Sequence, residues 1–246
     1  LLAVDLDTGE VVHDHAFGND AAPLGSFLQD LQVSPDGQTV YIADLSFWRK
    51  SPAIVVHDVT TASDRRILEG HSSVSAQDWI ITTPARRMVF FGGLAAMKPG
   101  IDSIAVSTDG RWLVYGAMSH DTLFRVPTSA LLDRSLDDRG IAATVEALGR
   151  KPLSDGLSAD LEGGIWITDV EHGAVLRMTP AGELETWVKT PRIRWADALS
   201  FGPEGWLYLA DSAIPDQVMR SREHIASQAP YHIFRFRPDV HGIPGQ

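Results

Sequence analysis

QDLQVSPDGQTVYIAD, residues 29–44, runs from an acidic opening through an alternating strand and an Asp-Gly turn into a second apolar strand. The phrase returns as IDSIAVSTDGRWLVYG from Ile101, SDGLSADLEGGIWITD from Ser154 and ADALSFGPEGWLYLAD from Ala196. Its turn glycines fall at Gly37, Gly110, Gly163 and Gly205, 73, 53 and 42 residues apart. Short strands joined by tight turns and repeated at that period predict an all-β chain of the β-propeller type. In a propeller the first strand of every blade lines the central channel, so the residues that open each copy are expected to meet in space.

Working outward, Leu2–Asp5 and Glu10–His13 read as two strands joined through Asp7-Thr8-Gly9, the outer half of a blade. Full four-stranded blades are expected at about 27–70, 101–148, 154–190 and 196–237, with residues 71–100 as an insertion. That insertion carries a hairpin signal at Trp79–Thr82 and Met88–Gly92. Short helical stretches are expected after Pro127-Thr128-Ser129 and at Ser221–Gln228. The whole, residues 1–246, reads as one partial propeller domain of about four and a half blades. Such an array leaves strand edges open, which natural proteins avoid. The chain starts Leu-Leu-Ala-Val, and the expectation is that further chain precedes it.

Composition narrows the function. The 246 residues are 44% hydrophobic and 22% charged, enough for one packed β-domain. The net charge of −11 argues against a nucleic-acid backbone as partner and suits a cation, a metal or an amine. No apolar run approaches the length of a membrane helix. The absence of cysteine excludes disulfides, thiolate metal sites and a cysteine nucleophile. No G-x-S-x-G elbow, P-loop, dinucleotide fingerprint or H-E-x-x-H is present, which disfavours serine-hydrolase and nucleotide chemistry.

The strings VPTSAL, SDGLSAD and RWADALSFGPEGWLY, with PAIVVHDVTT and KPLSDGLSADLEGGIWITDVEHGAVLRM in one order, resemble the major royal jelly protein/Yellow family. The fold is more widely similar to the SMP-30/gluconolactonase propellers. The resemblance covers about residues 1–237 and implies a six-bladed propeller of which one and a half blades are absent here. It also implies an extracellular or periplasmic location. Family roles include dopachrome conversion, amine binding and storage; the lactonases hold a divalent ion in the channel mouth. This chain departs from both groups, lacking the insect cysteines and the blade that gives the lactonases a metal-binding Glu.

By position Asp102 and Asp155 resemble the lactonase metal ligands, and two oxygen ligands on adjacent blades suit Ca²⁺ or Mg²⁺. Asp155 is also the candidate catalytic carboxylate. Trp195 and Asp197, side by side, could hold an amine by charge and cation–π contact. Asp30 is a further ligand candidate, but it stands one position later than its counterparts, which would turn it to the opposite face. Each of these has a plainer reading, an aspartate capping its own turn or a Trp packed between blades. Asp44, Asp169 and Asp211 end second strands and read as structural. His13 and His15, two apart on one strand, could pair on a transition metal, but read as a solvated pair. His57 and His120 carry no partner pattern. Two functions stay open: a metal-dependent lactone hydrolase or tautomerase acting on a small-molecule substrate, and a non-catalytic binder of small amines or phenols.

Overall fold

The computed structural model describes residues 1–245. The turns come first, because they fix the register of everything else. Ser34 Oγ and the Gln38 amide both donate to the Asp36 carboxylate, the Thr39 amide donates to Ser34 Oγ, and Gly37 takes a left-handed φ of 72°. Ser107, Asp109, Gly110 and Trp112 repeat the same set of bonds, with Gly110 at φ 71°. A side chain at either glycine would meet the left-handed penalty that glycine escapes.

Those turns produce a series of antiparallel sheets. Strands β1 (Leu2–Val4) and β2 (Val11–Asp14) form a hairpin. Strands β3 (Leu28–Val33), β4 (Thr39–Asp44), β5 (Ala53–Asp58) and β6 (Ser63–Ile67) make the first four-stranded blade. In the insertion, the expected pairing of 79–82 with 88–92 is reduced to an isolated bridge between Thr82 and Arg87, and the strands that form are β7 (Val89–Phe90) and β8 (Ala95–Ala96), paired with each other. The second blade comprises β9 (Ile101–Val106), β10 (Trp112–Ala117), β11 (Thr122–Pro127) and β12 (Glu146–Arg150). Its outer loop carries α1 (Thr128–Leu132) and α2 (Asp138–Ala142). The α1 cap position is Pro127 and makes no side-chain cap; α2, which the sequence reading missed, is capped by Asp137 accepting from the Gly140 amide at 2.8 Å.

The third blade is β13 (Leu157–Ala159), β14 (Ile165–Asp169), β15 (Ala174–Met178) and β16 (Leu184–Lys189). The last sheet has three strands rather than the expected four: β17 (Ala196–Phe201), β18 (Leu207–Asp211) and β19 (Ile233–Phe236). Before β19 comes α3 (Arg222–Ser227), capped by Ser221. Among the described residues no helix is long and apolar enough to cross a membrane.

The inner strands lie side by side in order, β3 against β9, β9 against β13 and β13 against β17. The blades stack face to face because each buries both surfaces. Ile54, Ile67, Ile101, Ile104 and Leu113 fill the seam between the first and second blades with no exposed surface. Val114, Leu123, Leu157 and Ile167 fill the next, and Trp166, Phe201, Leu207 and Leu209 the last. At about 1.5–3 kcal/mol per fully buried aliphatic side chain, these seams hold the radial array together.

The hairpin docks on the first blade through its histidines, contrary to the expectation of a solvated pair. His13 Nε2 lies 3.0 Å from His57 Nε2, and His15 Nε2 lies 2.8 Å from Asp64 Oδ2. His57 is wholly buried on β5 and its Nδ1 lies 2.8 Å from Asp64 Oδ1. The sequence reading failed here because the partners come from strands more than 40 residues away.

Candidate functional site

The inner strands share one irregularity that aims their acidic residues. In β3 the pairing steps from Leu28–Asp44 to Leu31–Ile42, in β9 from Ile101–Ala117 to Ser103–Gly116, and in β17 from Ala196–Asp211 to Leu199–Leu209. Each step puts an extra residue on the inner strand, a β-bulge, which bends the strand and re-aims a side chain. Asp30, Asp102 and Asp197 sit in these bulges. Asp155 precedes β13, where the Thr168 hydroxyl accepts the amides of Asp155 and Gly156.

All four carboxylates line one cavity of about 200 Å³. Asp30 is among them, which corrects the expectation that it faces away: the bulge absorbs the one-residue offset. Its Oδ2 accepts the Ile104 amide at 3.1 Å and its Oδ1 the Leu31 amide at 2.8 Å. Close packing brings the neighbouring blades together at this point. A Cβ on Gly156 would collide with the Asp197 carbonyl, so only glycine lets β13 approach β17.

Burial and mutual repulsion raise the proton affinity of the whole group. Asp30 is pushed up to about 6, chiefly by burial and then by Asp197, against the pull of its two backbone donors. Asp102 lies well above the usual carboxylate range through burial, then repulsion from Asp155, Asp30 and Asp197. Asp155 is raised by burial and Asp197, and it is hydrogen-bonded to Asp102. Asp197 is raised by burial as well. Two carboxylates bonded to each other must share a proton, as one of them has to donate.

Of its two readings, amine contact or packing between blades, Trp195 takes the packed one. Its indole is fully buried among Ile81, Met88, Met118, Leu153 and Val170. The indole Nε1 donates to Asp155 Oδ2 at 2.5 Å. It therefore orients a carboxylate and cannot lie against a bound molecule. The insertion makes this possible, since Ile81, Met88, Phe90 and Met97 supply the pocket for the ring. A further residue, carried by no motif, is Lys151, buried beside Gly116. Its Nζ donates to the carbonyls of Ala117 at 2.9 Å and Pro152 at 3.1 Å, and burial pulls it down to about 7.

Above the carboxylates lies a second, largely apolar cavity of about 360 Å³, to which Asp102, Asp155 and Asp197 also contribute. Phe27, Phe47, Trp48, Phe90, Met97 and Met118 form its collar. The site is thus an acidic floor under an aromatic mouth. The donors of the floor are all carboxylate oxygens drawn from adjacent strands, the ligand type that a hard divalent cation takes.

The strand-end aspartates behave as read. Asp44 accepts from the amides of Phe27 and Ser46 and from Arg66, Asp169 from the amides of Glu171 and His172, and Asp211 from Arg194 and the Trp195 amide.

Comparison with known proteins agrees with this architecture. A 6-deoxy-6-sulfogluconolactonase of Pseudomonas putida is 28% identical over 132 residues, 51% of this chain. The chain matches 41% of that enzyme's length. Among solved structures, a calcium-binding regucalcin of Agrobacterium tumefaciens is similar at a TM-score of 0.63 and 19% identity, over 98% of this chain and 70% of that one. A gluconolactonase of Xanthomonas campestris is similar at 0.53 and 15% identity, over 85% and 61%. These likenesses show the propeller fold. Residues 1–187 match the major royal jelly protein family. The chain belongs to that family.

Proposed function

We propose that this protein is a divalent-cation-dependent hydrolase of small lactones with an apolar portion. The observation that carries the reading is the meeting of Asp30, Asp102, Asp155 and Asp197 in one cavity, with Asp102 and Asp155 bonded to each other. Asp102 and Asp155 would hold Ca²⁺ or Mg²⁺, with Asp197 beside them. When bound, such an ion supplies Lewis-acid polarisation of a carbonyl oxygen. The likeness to a sulfogluconolactonase and to calcium-binding and lactonase propellers supports the same choice.

The chain's own residues do the rest. Trp195 pins Asp155 through one carboxylate oxygen, Oδ2, and leaves the other free for water. Asp155 takes a proton from the water whose oxygen attacks the lactone carbonyl carbon. The ring C–O bond then breaks, and the proton passes to the departing alkoxide oxygen, leaving a hydroxy acid. The aromatic collar binds the non-reacting part of the substrate and keeps bulk water from the floor.

The test is to strip the intact protein of metal and titrate the acid released from aliphatic, aromatic and sugar lactones. Turnover should need added Ca²⁺ or Mg²⁺ and favour apolar lactones. Asp155→Asn should lower kcat by about 10²–10⁴ while the protein still folds. A small amine or phenol that binds and is recovered unchanged, with no lactone opened, would replace catalysis by the binding reading, for which an aromatic collar above carboxylates is equally suited.

A further inference from the structure

We propose that His15, His57 and Asp64 form a separate metal site, for a borderline-soft divalent ion of the Zn²⁺ type, at the seam between the N-terminal hairpin and the first blade. One ligand atom from each lies within 4.8 Å of the other two. His15 Nε2 and His57 Nδ1 each lie 2.8 Å from an oxygen of Asp64. In a tetrahedral site with bonds of ~2.0–2.1 Å, ligand atoms are separated by roughly 3.3 Å, so small outward shifts would admit the ion. Two imidazoles with one carboxylate select Zn²⁺ or a similar transition ion over Ca²⁺ and Mg²⁺, which take oxygen shells. This site and the carboxylate floor therefore differ in the metal they prefer.

The outer groups are also in place. The Nε2 of His57 lies 3.0 Å from His13 Nε2, so the ring that binds through Nδ1 has a partner for its other nitrogen. A metal-ligating histidine ordinarily donates that second N–H, which fixes its tautomer. Without metal, Asp64 is an acceptor for both imidazoles, so His57 carries its proton on Nδ1 and accepts from His13. Metal binding moves that proton to Nε2 and reverses the bond to His13. His57 is wholly buried, while the side chains of His15 and Asp64 are 14% and 15% exposed, leaving a route for the ion and an open fourth position for water. The site also has structural work available. Among the described residues the strands β1 and β2 pair only with each other, and a lone two-stranded hairpin is marginal in water. A metal bridging His15 to β5 and β6 would fasten it to the blade.

The experiment is a titration of the metal-free intact protein with Co²⁺, read by visible d–d absorption, together with melting in Zn²⁺. The expected result is one equivalent of low-coordinate Co²⁺ and a higher Tm with Zn²⁺. Both should vanish in His15→Gln and Asp64→Asn and persist in Asp155→Asn. His13→Gln should weaken binding about 10–100-fold without abolishing it. His15 lies at the edge of the fold, so its variant reads the site even where Asp64→Asn loosens the hairpin. No Co²⁺ absorption in the unaltered protein, or a signal that survives both His15→Gln and Asp64→Asn, overturns the proposal.

Discussion

Aspartates stand at two points of the blade phrase, near the opening of all four copies and at the end of the second strand in three, and the two sets have opposite fates. Those that end second strands, Asp44, Asp169 and Asp211, are spent on their surroundings: backbone amides from the adjoining loop and, in two cases, a guanidinium. Those that open the inner strands, Asp30, Asp102, Asp155 and Asp197, face one another across a cavity, and among the described residues none of them is in an ion pair, Lys151 acting on Asp102 only through space. Residue type and repeat position are the same in kind. What separates structure from chemistry is whether the carboxylate is neutralised locally or left to converge with others.

The largest expected effect tests the saturated set. Asp44 is fully buried and bonds Arg66, whose side chain is only 6% exposed. Asp44→Asn removes the closer and more buried of the two carboxylates on that guanidinium, leaving it Glu69 at 3.2 Å, and should cost up to about 3–5 kcal/mol in urea unfolding. In metal-free protein Asp155→Asn should cost far less, because an amide replaces a carboxyl that already shares a proton. Equal losses for the two variants would erase the distinction.

A pH series sharpens it. Inner-strand carboxylates with raised folded-state pKa values hold protons that the unfolded chain releases near pH 4. Their contribution to stability is therefore complete below that pH and falls away as pH rises through the raised values, Asp30 at about 6 and Asp102 and Asp155 above the usual range. A divalent cation binds the ionised cluster and offsets this loss. The Tm increase caused by saturating Ca²⁺ or Mg²⁺ should thus grow from pH 5 to pH 8. An increase that shrinks over that range would contradict a cation held by these groups.

Much of the fold was legible because local chemistry dictates it. Ser34-Pro-Asp-Gly37 and Ser107-Thr-Asp-Gly110 close by the same short-range bonds, and such bonds depend on sequence alone. The convergence of Asp102, Asp155 and Asp197 followed from the repeat. Asp30 was misread because a bulge counts residues differently from a regular strand: between Leu28 and Leu31 three steps of β3 match two of β4. His57 looked isolated for a related reason: Asp64 becomes its partner only through the pairing of β5 with β6, and His13 comes from a separate hairpin. Trp195 could be read either way because part of what buries it, Ile81, Met88, Phe90 and Met97, belongs to the insertion rather than to the repeat.

Trp195 joins the two sets, and its replacement is the finest test of them. Its amide donates to the strand-end Asp211 at 2.8 Å, and its indole donates to the inner Asp155. Trp195→Phe keeps the backbone bond and most of the packing but removes the indole N–H. The loss should be about 1–3 kcal/mol, the range for a buried hydrogen bond to a group that carries charge. The indole bond lowers the proton affinity of Asp155, so removing it should raise that affinity further. Activity would then need a higher pH, with the acid limb of the kcat profile displaced upward. Cation affinity measured well above that limb should change little. A pure packing role would lower Tm and leave the acid limb where it was, and that result would move Trp195 out of the site and into the core.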